Sequence, residues 1–371
     1  MTAESQGDND AFDTPDAADP GDTNVSVFDT VVSSARAEKE AEAVATRNGR
    51  RRRWLRLLAI CVLAVAVLIS GGMFAGWRYL RSVEGQVTRV DAFEGVVEAE
   101  RPAKPATATK AVNFLILGSD SRNPELGGSR TDTIMVAHVT ADHKATQIVS
   151  IPRDSWVSIP KASNGRGGTK AKINAAFAWG GVPLMVRTVE ALTKIRIDHV
   201  VIIDFAGFAQ IVDALDGVDI TVERAFTSIH PPFRRFKAGP QHLSGEEALD
   251  YSRQRKQFAD GDFARIQHQQ QIIRAILDKA TTAGVITDPG SLNAFLTATA
   301  KAISADVGLD LLAMANDLRN TSSDQVRYLT NPSRGTGMEG SQSVVYVDSA
   351  AAASLYAAVN NDSAGSWQVQ G

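Results

Sequence analysis

Apolar and polar positions fall in short blocks along this chain, and the blocks between Val112 and Asp154 are those around which the rest is arranged. V-N-F-L-I-L ends in Gly118-Ser119-Asp120-Ser121-Arg122. Arg130-Thr131-Asp132-Thr133 leads into I-M-V-A-H-V, and Q-I-V-S-I ends in Pro152-Arg153-Asp154. Apolar runs this short, bounded by Gly, Pro and polar clusters, predict buried strands, since helices need longer stretches. Further on, His199–Asp204 and Gly217–Val222 predict two strands joined by an amphipathic helix over Phe205–Leu215. Strand, helix and strand at this separation imply a crossover unit. The expected fold is therefore α/β, a single domain with a central mixed β-sheet flanked by helices. Lys172-Ile173-Asn174 opens an Ala-rich helix, Val182–Leu192 predicts a second, and Gln325–Leu329 and Val344–Val347 predict strands that return to the sheet. The stripe Phe205, Phe208, Ile211, Val212, Leu215 has the spacing of a core-facing helix side.

The amino-terminal part follows another pattern. Residues 1–53 are rich in Asp, Glu, Ala, Ser and Thr and end in Arg50-Arg51-Arg52-Arg53. Such a segment buries too little apolar surface to offset its ordering entropy and predicts a disordered acidic tail. Within residues 54–77, the run from Leu57 to Trp77 carries no charge. At about twenty-one residues it spans roughly 30 Å as a helix, the thickness of the hydrocarbon core, so one transmembrane helix is expected. Trp54, Trp77 and Tyr79 stand where interfacial anchors belong. A cleaved signal peptide fits poorly, because the run is long and far from residue 1. Arg47, the four-Arg run and Arg56 outnumber Arg78 and Arg81. This places the amino end in the cytoplasm and everything after Trp77 outside: a cell-membrane protein, single-pass, with an extracytoplasmic carboxy-terminal domain. Residues 78–110 read as a juxtamembrane connector, 111–360 as the catalytic domain and 361–371 as a flexible tail.

Composition narrows the chemistry. A chain of 371 residues with net charge -3 has no bulk attraction for nucleic acid. Its single cysteine, Cys61, excludes a disulfide framework or a thiolate metal site. What stands out is the charge at the strand ends. Asp120 and Asp132 are hard oxygen donors suited to a divalent cation, and Arg122, Arg130 and Arg153 carry the planar fork that clamps phosphate oxygens. Taken singly, such residues also read as strand-end ion pairs or turn caps. Gathered within some forty residues, they point to phosphoryl transfer.

A second charged cluster begins at Leu243-Ser244-Gly245-Glu246-Glu247, where Ser244 and Glu247 make a capping box. It continues through Arg253 and Arg255 to Asp262-Phe263-Ala264-Arg265-Ile266-Gln267-His268-Gln269. On an extended segment Arg253 and Arg255 would point the same way and grip one phosphate jointly. With Asp262 as helix cap, Arg265 falls in the first turn and Gln269 one turn later on the same face. A cation there opposes the helix macrodipole, which makes sense if an anion lies between. No G-x-x-x-x-G-K phosphate loop is present.

With both clusters in view, the chain resembles the LytR-CpsA-Psr family of envelope enzymes over roughly Asn113–Ile276. The resemblance rests on N-F-L-I-L-G-S-D-S-R, R-T-D-T-I-M, S-I-P-R-D, K-I-N-A-A-F, D-H-V-V-I-I-D-F, G-V-D-I-T-V, L-S-G-E-E-A-L-D-Y-S-R-Q-R and D-F-A-R-I-Q-H-Q-Q, in that order. It implies a membrane-anchored phosphotransferase that moves a glycopolymer from a polyprenyl pyrophosphate or phosphate carrier to peptidoglycan. Asp120 and Asp132 would be the Mg2+- (or Mn2+-) associated pair; the alternative is that one of the two is the general base for the acceptor hydroxyl. Arg122, Arg130, Arg153, Arg253, Arg255 and Arg265 would bind phosphate, Arg130 also acting in catalysis, and Gln269 would add a polar contact. The family's lipid tail enters an apolar pocket between helices and sheet. His268 departs from the pattern, since many relatives carry Arg there; protonated, it could still donate to phosphate. Alanine richness and the acidic tail look like actinobacterial members, which favours arabinogalactan or another wall glycan. Two other functions are compatible with the same residues: a hydrolase that uses water as acceptor, and a non-catalytic module that holds a lipid-linked polymer or signals through its tail.

Overall fold

A computed structural model of the protein describes residues 78–79, 81–120, 131–255, 257–258, 261–281, 285, 288–310 and 323–368. The expected tail and transmembrane run, together with Arg122 and Arg130, lie outside them. No helix among the described residues is long and apolar enough to cross a membrane.

In chain order the elements are β1 (Thr88–Val90), β2 (Val112–Ser119), β3 (Thr131–Val139), β4 (Thr146–Ser150), β5 (Trp156–Ile159), β6 (Thr169–Lys172) and α1 (Asn174–Thr193). There follow β7 (His199–Asp204), α2 (Phe205–Ala214), β8 (Val218–Val222), β9 (Phe226–Thr227), β10 (Arg235–Phe236), β11 (Gly239–Leu243) and α3 (Gly245–Ser252). The last are α4 (Asp262–Ala280), α5 (Pro289–Ala302), β12 (Ile303–Asp306), β13 (Val326–Thr330), β14 (Ser333–Glu339), β15 (Gln342–Val347) and α6 (Ser349–Asn360).

The central sheet has the order β1-β12-β7-β2-β3-β4-β13. It is mixed, with β2 parallel to β7 but antiparallel to β3. Alternation along β2 sends Leu115 and Leu117 to one face, packed on Phe177 and Met185 of α1 and Leu355 and Tyr356 of α6. Phe114 and Ile116 face the other way, toward Ala300 of α5 and Ile273 and Leu277 of α4. That period of two is what fixes the register, because a one-residue slip would exchange the two faces.

Three expectations are corrected. Gly217–Val222 does not complete a crossover in the central sheet: β8 pairs with β11 instead, in a separate two-stranded sheet over α3 and α4. Of the two late strands, β13 joins the central sheet beside β4, whereas β15 pairs with β14 in a hairpin. The two helices expected over residues 174–192 are one element with a kink, where Gly181 adopts φ 63°, ψ -153° ahead of Pro183. Only glycine takes that conformation readily, and proline at 183 favours the break. The strands β1 and β12 carry only three and four residues, too few for a pattern to show. Val83, Val87 and Val90, ahead of the first long strand, are nevertheless buried in the core.

Candidate active site at the strand ends

The charged residues converge where β2, β4 and β7 end and β3 begins. Ser119 pairs with Thr131 and Gly118 with Thr133, so Asp132 is the extra residue of a bulge and Asp120 follows directly on β2. Gly118 is required for this approach: a Cβ there would lie 2.7 Å from the Thr133 Cβ. A bulge re-aims a side chain at a sheet rim, and Asp132 lines a cavity of about 540 Å3.

Around Asp132 the charges alternate in sign. Arg153 pairs with Asp132, and its Nε lies 3.8 Å from Asp154. Asp154 in turn holds Lys172 at 3.0 Å and Arg255 at 3.6 Å. Arg265 pairs with Asp262, both side chains being almost fully buried. Burial lowers the Arg153 guanidinium, but Asp132 and Asp154 outweigh it, so its pKa lies above the ordinary value. For Arg265 burial prevails and the pKa falls, while burial raises that of Asp262. A guanidinium nonetheless stays charged in proteins. The result is a partly buried cluster in which cations are held in place by carboxylates, and electrostatic interactions in such surroundings are stronger than in water.

Arg153, Arg253, Arg255, Arg265 and Gln269 all line the cavity with Asp132. Arg253 and Arg255 do not lie on an extended segment as expected. Arg253 closes α3 in helical geometry, φ -98° and ψ -6°, and its guanidinium rests 4.5 Å from the Phe205 ring centroid. Asp262 is not the cap of α4 either; Gly261 is, and Asp262 within the first turn supplies the anion that Arg265 needs there. The capping box is present, the Ser244 N–H donating to Glu247 Oε2 at 2.9 Å.

His268 is turned away from the cluster. Its ring packs among Tyr251, Phe258 and Phe226, with centroids 4.4, 4.8 and 6.2 Å away. Burial, with help from Arg224, lowers its pKa to about 4. A neutral imidazole in an aromatic enclosure is no phosphate ligand, which corrects the role expected of a protonated His268.

Beyond the charges the cavity is apolar, lined by Ile116, Met135, Ile203, Phe208, Ile273 and Phe295 among others. The helix stripe expected in the core is divided. Phe205, Phe208 and Ile211 line the cavity, while Val212 and Leu215 are buried. Sequence reasoning missed the counterions Asp154, Lys172 and Asp262 and the Phe205 platform. P-R-D and D-x-x-R hinted at two of them; for Lys172 there was no signal.

Residues 83–360 match the LytR_cpsA_psr family. The chain belongs to that family. One relative, the polyisoprenyl-teichoic acid–peptidoglycan teichoic acid transferase TagU of Bacillus cereus, is 30% identical over 262 residues, 70% of this chain and 83% of its own length. The namesake from Halalkalibacterium halodurans is 39% identical over 205 residues, 55% and 64% of the two chains. The crystal structure of Bacillus subtilis TagV superposes with TM-score 0.58 at 27% identity, covering 68% of this chain and 98% of that one. A LytR-Csp2A-Psr enzyme from Actinomyces oris superposes with TM-score 0.57 at 24% identity, over 74% and 96%. These LytR_cpsA_psr structures share the fold of a central mixed sheet flanked by helices.

A divalent cation fits the donors at the rim. Mg2+ is commonly held by one or two carboxylates together with substrate phosphates, rather than by a protein cage. Asp120 and Asp132 supply such carboxylates from adjoining strand ends, and the described residues contain no group of three or more His, Cys, Asp or Glu that could form a cage.

Proposed function

We propose that this protein is a membrane-anchored phosphotransferase that moves a wall glycopolymer from a polyprenyl pyrophosphate or phosphate carrier to peptidoglycan. One observation carries the reading: a single cavity is lined by four arginines, Arg153, Arg253, Arg255 and Arg265, and by a predominantly apolar remainder that includes Ile116, Met135, Phe208, Ile273 and Phe295. That is the shape of a molecule with an anionic junction and a long hydrocarbon tail. The relatives' name, a transferase between polyisoprenyl-linked teichoic acid and peptidoglycan, supports it. The junction of prenyl chain, phosphate and sugar is the part of the substrate that this cavity suits.

Taking the pyrophosphate carrier, an acceptor hydroxyl attacks the phosphorus next to the sugar, and the bond from that phosphorus to the bridging oxygen breaks. Polyprenyl phosphate leaves with the electron pair, the new phosphodiester joins polymer to wall, and the hydroxyl proton passes to an aspartate at the strand ends. Arg153, Arg255 and Arg265 hold the phosphate oxygens and stabilise charge as it moves to the leaving group, which is the main requirement of phosphoryl transfer. Arg253 adds a cation kept in position by Phe205. Of Asp120 and Asp132, one would hold Mg2+ or Mn2+, which when bound neutralises phosphate charge, and the other would take the proton.

The test is product analysis with the full chain, a polyprenyl-pyrophosphate-linked oligosaccharide and peptidoglycan. Mass spectrometry should find the oligosaccharide phosphate on muramoyl residues. Free oligosaccharide phosphate alone would identify a hydrolase. Tight binding without any product would identify a binding module.

A further inference from the structure

Between β9 and β10 the chain reads Ser228-Ile229-His230-Pro231-Pro232-Phe233-Arg234. Phe233 is 58% exposed and Ile229 38%, and both prolines are exposed beside them. This exposure is enforced from below. The buried Ser228 hydroxyl donates to Asp250 at 2.6 Å and accepts from Gln254 Nε2 at 2.8 Å and from the His230 N–H at 2.9 Å. The Gln254 side-chain oxygen accepts from the Ile229 N–H at 3.2 Å. Arg234 is tied to Glu246 at 2.7 Å and lies 3.7 Å from Asp250. Phe233 itself has φ 61°, a conformation costly for a bulky side chain that persists only where the surroundings impose it. A polar, well-bonded base thus presents an apolar tip to solvent.

Two observations identify what the tip meets. No acidic residue occurs between Phe226 and Gly239, and the exposed Arg235 and Lys237 follow the tip. Aromatic and aliphatic side chains beside cations suit the surface of an anionic bilayer. The loop is also continuous with the candidate site, since Ile229 and His230 line the same cavity as Arg253, Arg255 and Arg265. Taking the lipid-linked substrate as above, we propose that the β9–β10 tip inserts into the headgroup layer of an anionic bilayer and sets the arginine cluster at the depth of lipid phosphates. A carrier lipid then passes from leaflet to cavity with its charged junction remaining in the interface.

The experiment reads the position of the loop rather than turnover, so either proposal can fail alone. Cys61 is the only cysteine; with Cys61→Ser as background, the full chain carries a nitroxide label at Phe233→Cys, Ile229→Cys or Met338→Cys. Met338, 60% exposed on the β14–β15 hairpin, is the reference. In vesicles of phosphatidylglycerol and phosphatidylcholine without substrate, labels at 233 and 229 should shift to lipid-like accessibility, favouring oxygen over a water-soluble nickel chelate. The label at 338 should stay water-like. Water-like labels at both loop positions overturn the proposal, as do labels shielded from both reagents, which mark a protein contact. Equal insertion into phosphatidylcholine alone would contradict an anionic partner.

Discussion

The two faces of the central sheet are built from the same strands and do different things. On one face Leu115, Val136 and Val200 are fully buried against α1 and α6. On the other, Ile116 and Ile203 are only partly covered and line a cavity whose rim carries the charged cluster. Because side chains alternate along a strand, neighbouring residues divide the work. In β2, Leu115 is sealed in the core while Ile116 lines the cavity.

Truncating two neighbouring residues of β2 should separate the faces most clearly. Leu115→Ala should cost about 3 kcal/mol in chemical denaturation, the usual penalty for a buried leucine. Ile116→Ala should cost less than about 1 kcal/mol, because the site is already partly open. Equal losses would mean that the cavity face is as much core as the other.

A second effect, up to about 3 kcal/mol, lies beside the site. His268 has an ordinary pKa of 6.5 unfolded and about 4 folded, so the unfolded state binds the extra proton over this range. Stability should therefore fall as pH drops from about 6.5 toward 4. His268→Leu should remove that part of the slope in denaturation curves recorded across this range. An unchanged slope would show that the imidazole is not held neutral by its aromatic neighbours.

Arg255→Lys and Arg265→Lys keep the charge but lose the planar fork. Each should lower turnover of a polyprenyl-pyrophosphate substrate at least about tenfold, near 1.4 kcal/mol in the barrier, with little change in melting temperature. Parental turnover in both would reduce the cluster to a set of structural ion pairs. The smallest effect should come from Phe205→Leu, which removes the ring beneath Arg253. A cation–π contact contributes about 0.5–1 kcal/mol, so a two- to fivefold rise in KM, roughly, with unchanged kcat is expected.

The long strands and the cap of α3 were legible because their signals are local. Val112–Ser119 and His199–Asp204 are apolar runs between turn residues, and Ser244 and Glu247 lie three apart. Topology was less legible: nothing in Gly217–Val222 shows that its partner is Gly239–Leu243 rather than a strand of the central sheet. The arginines could be read as one set from their number and spacing. Their counterions could not, because Asp154 and Lys172 meet only when β6 pairs with β5 and brings Lys172 opposite Trp156. The helix stripe after Asp204 followed the spacing of a core face, and spacing cannot show that Phe205, Phe208 and Ile211 border a cavity while Val212 is sealed.

The central claim is that one cavity receives both the anionic junction and the prenyl chain. Its most direct measurement is the Kd of the full chain for a long-chain polyprenyl pyrophosphate relative to inorganic pyrophosphate, in the parent and in Ile116→Trp. The account predicts that the prenyl chain tightens binding at least about a hundredfold in the parent, the equivalent of roughly four buried methylenes. It further predicts that Ile116→Trp removes most of this advantage while leaving pyrophosphate binding unchanged. Equal affinity for the two ligands in the parent, or a prenyl advantage untouched by the tryptophan, would contradict it.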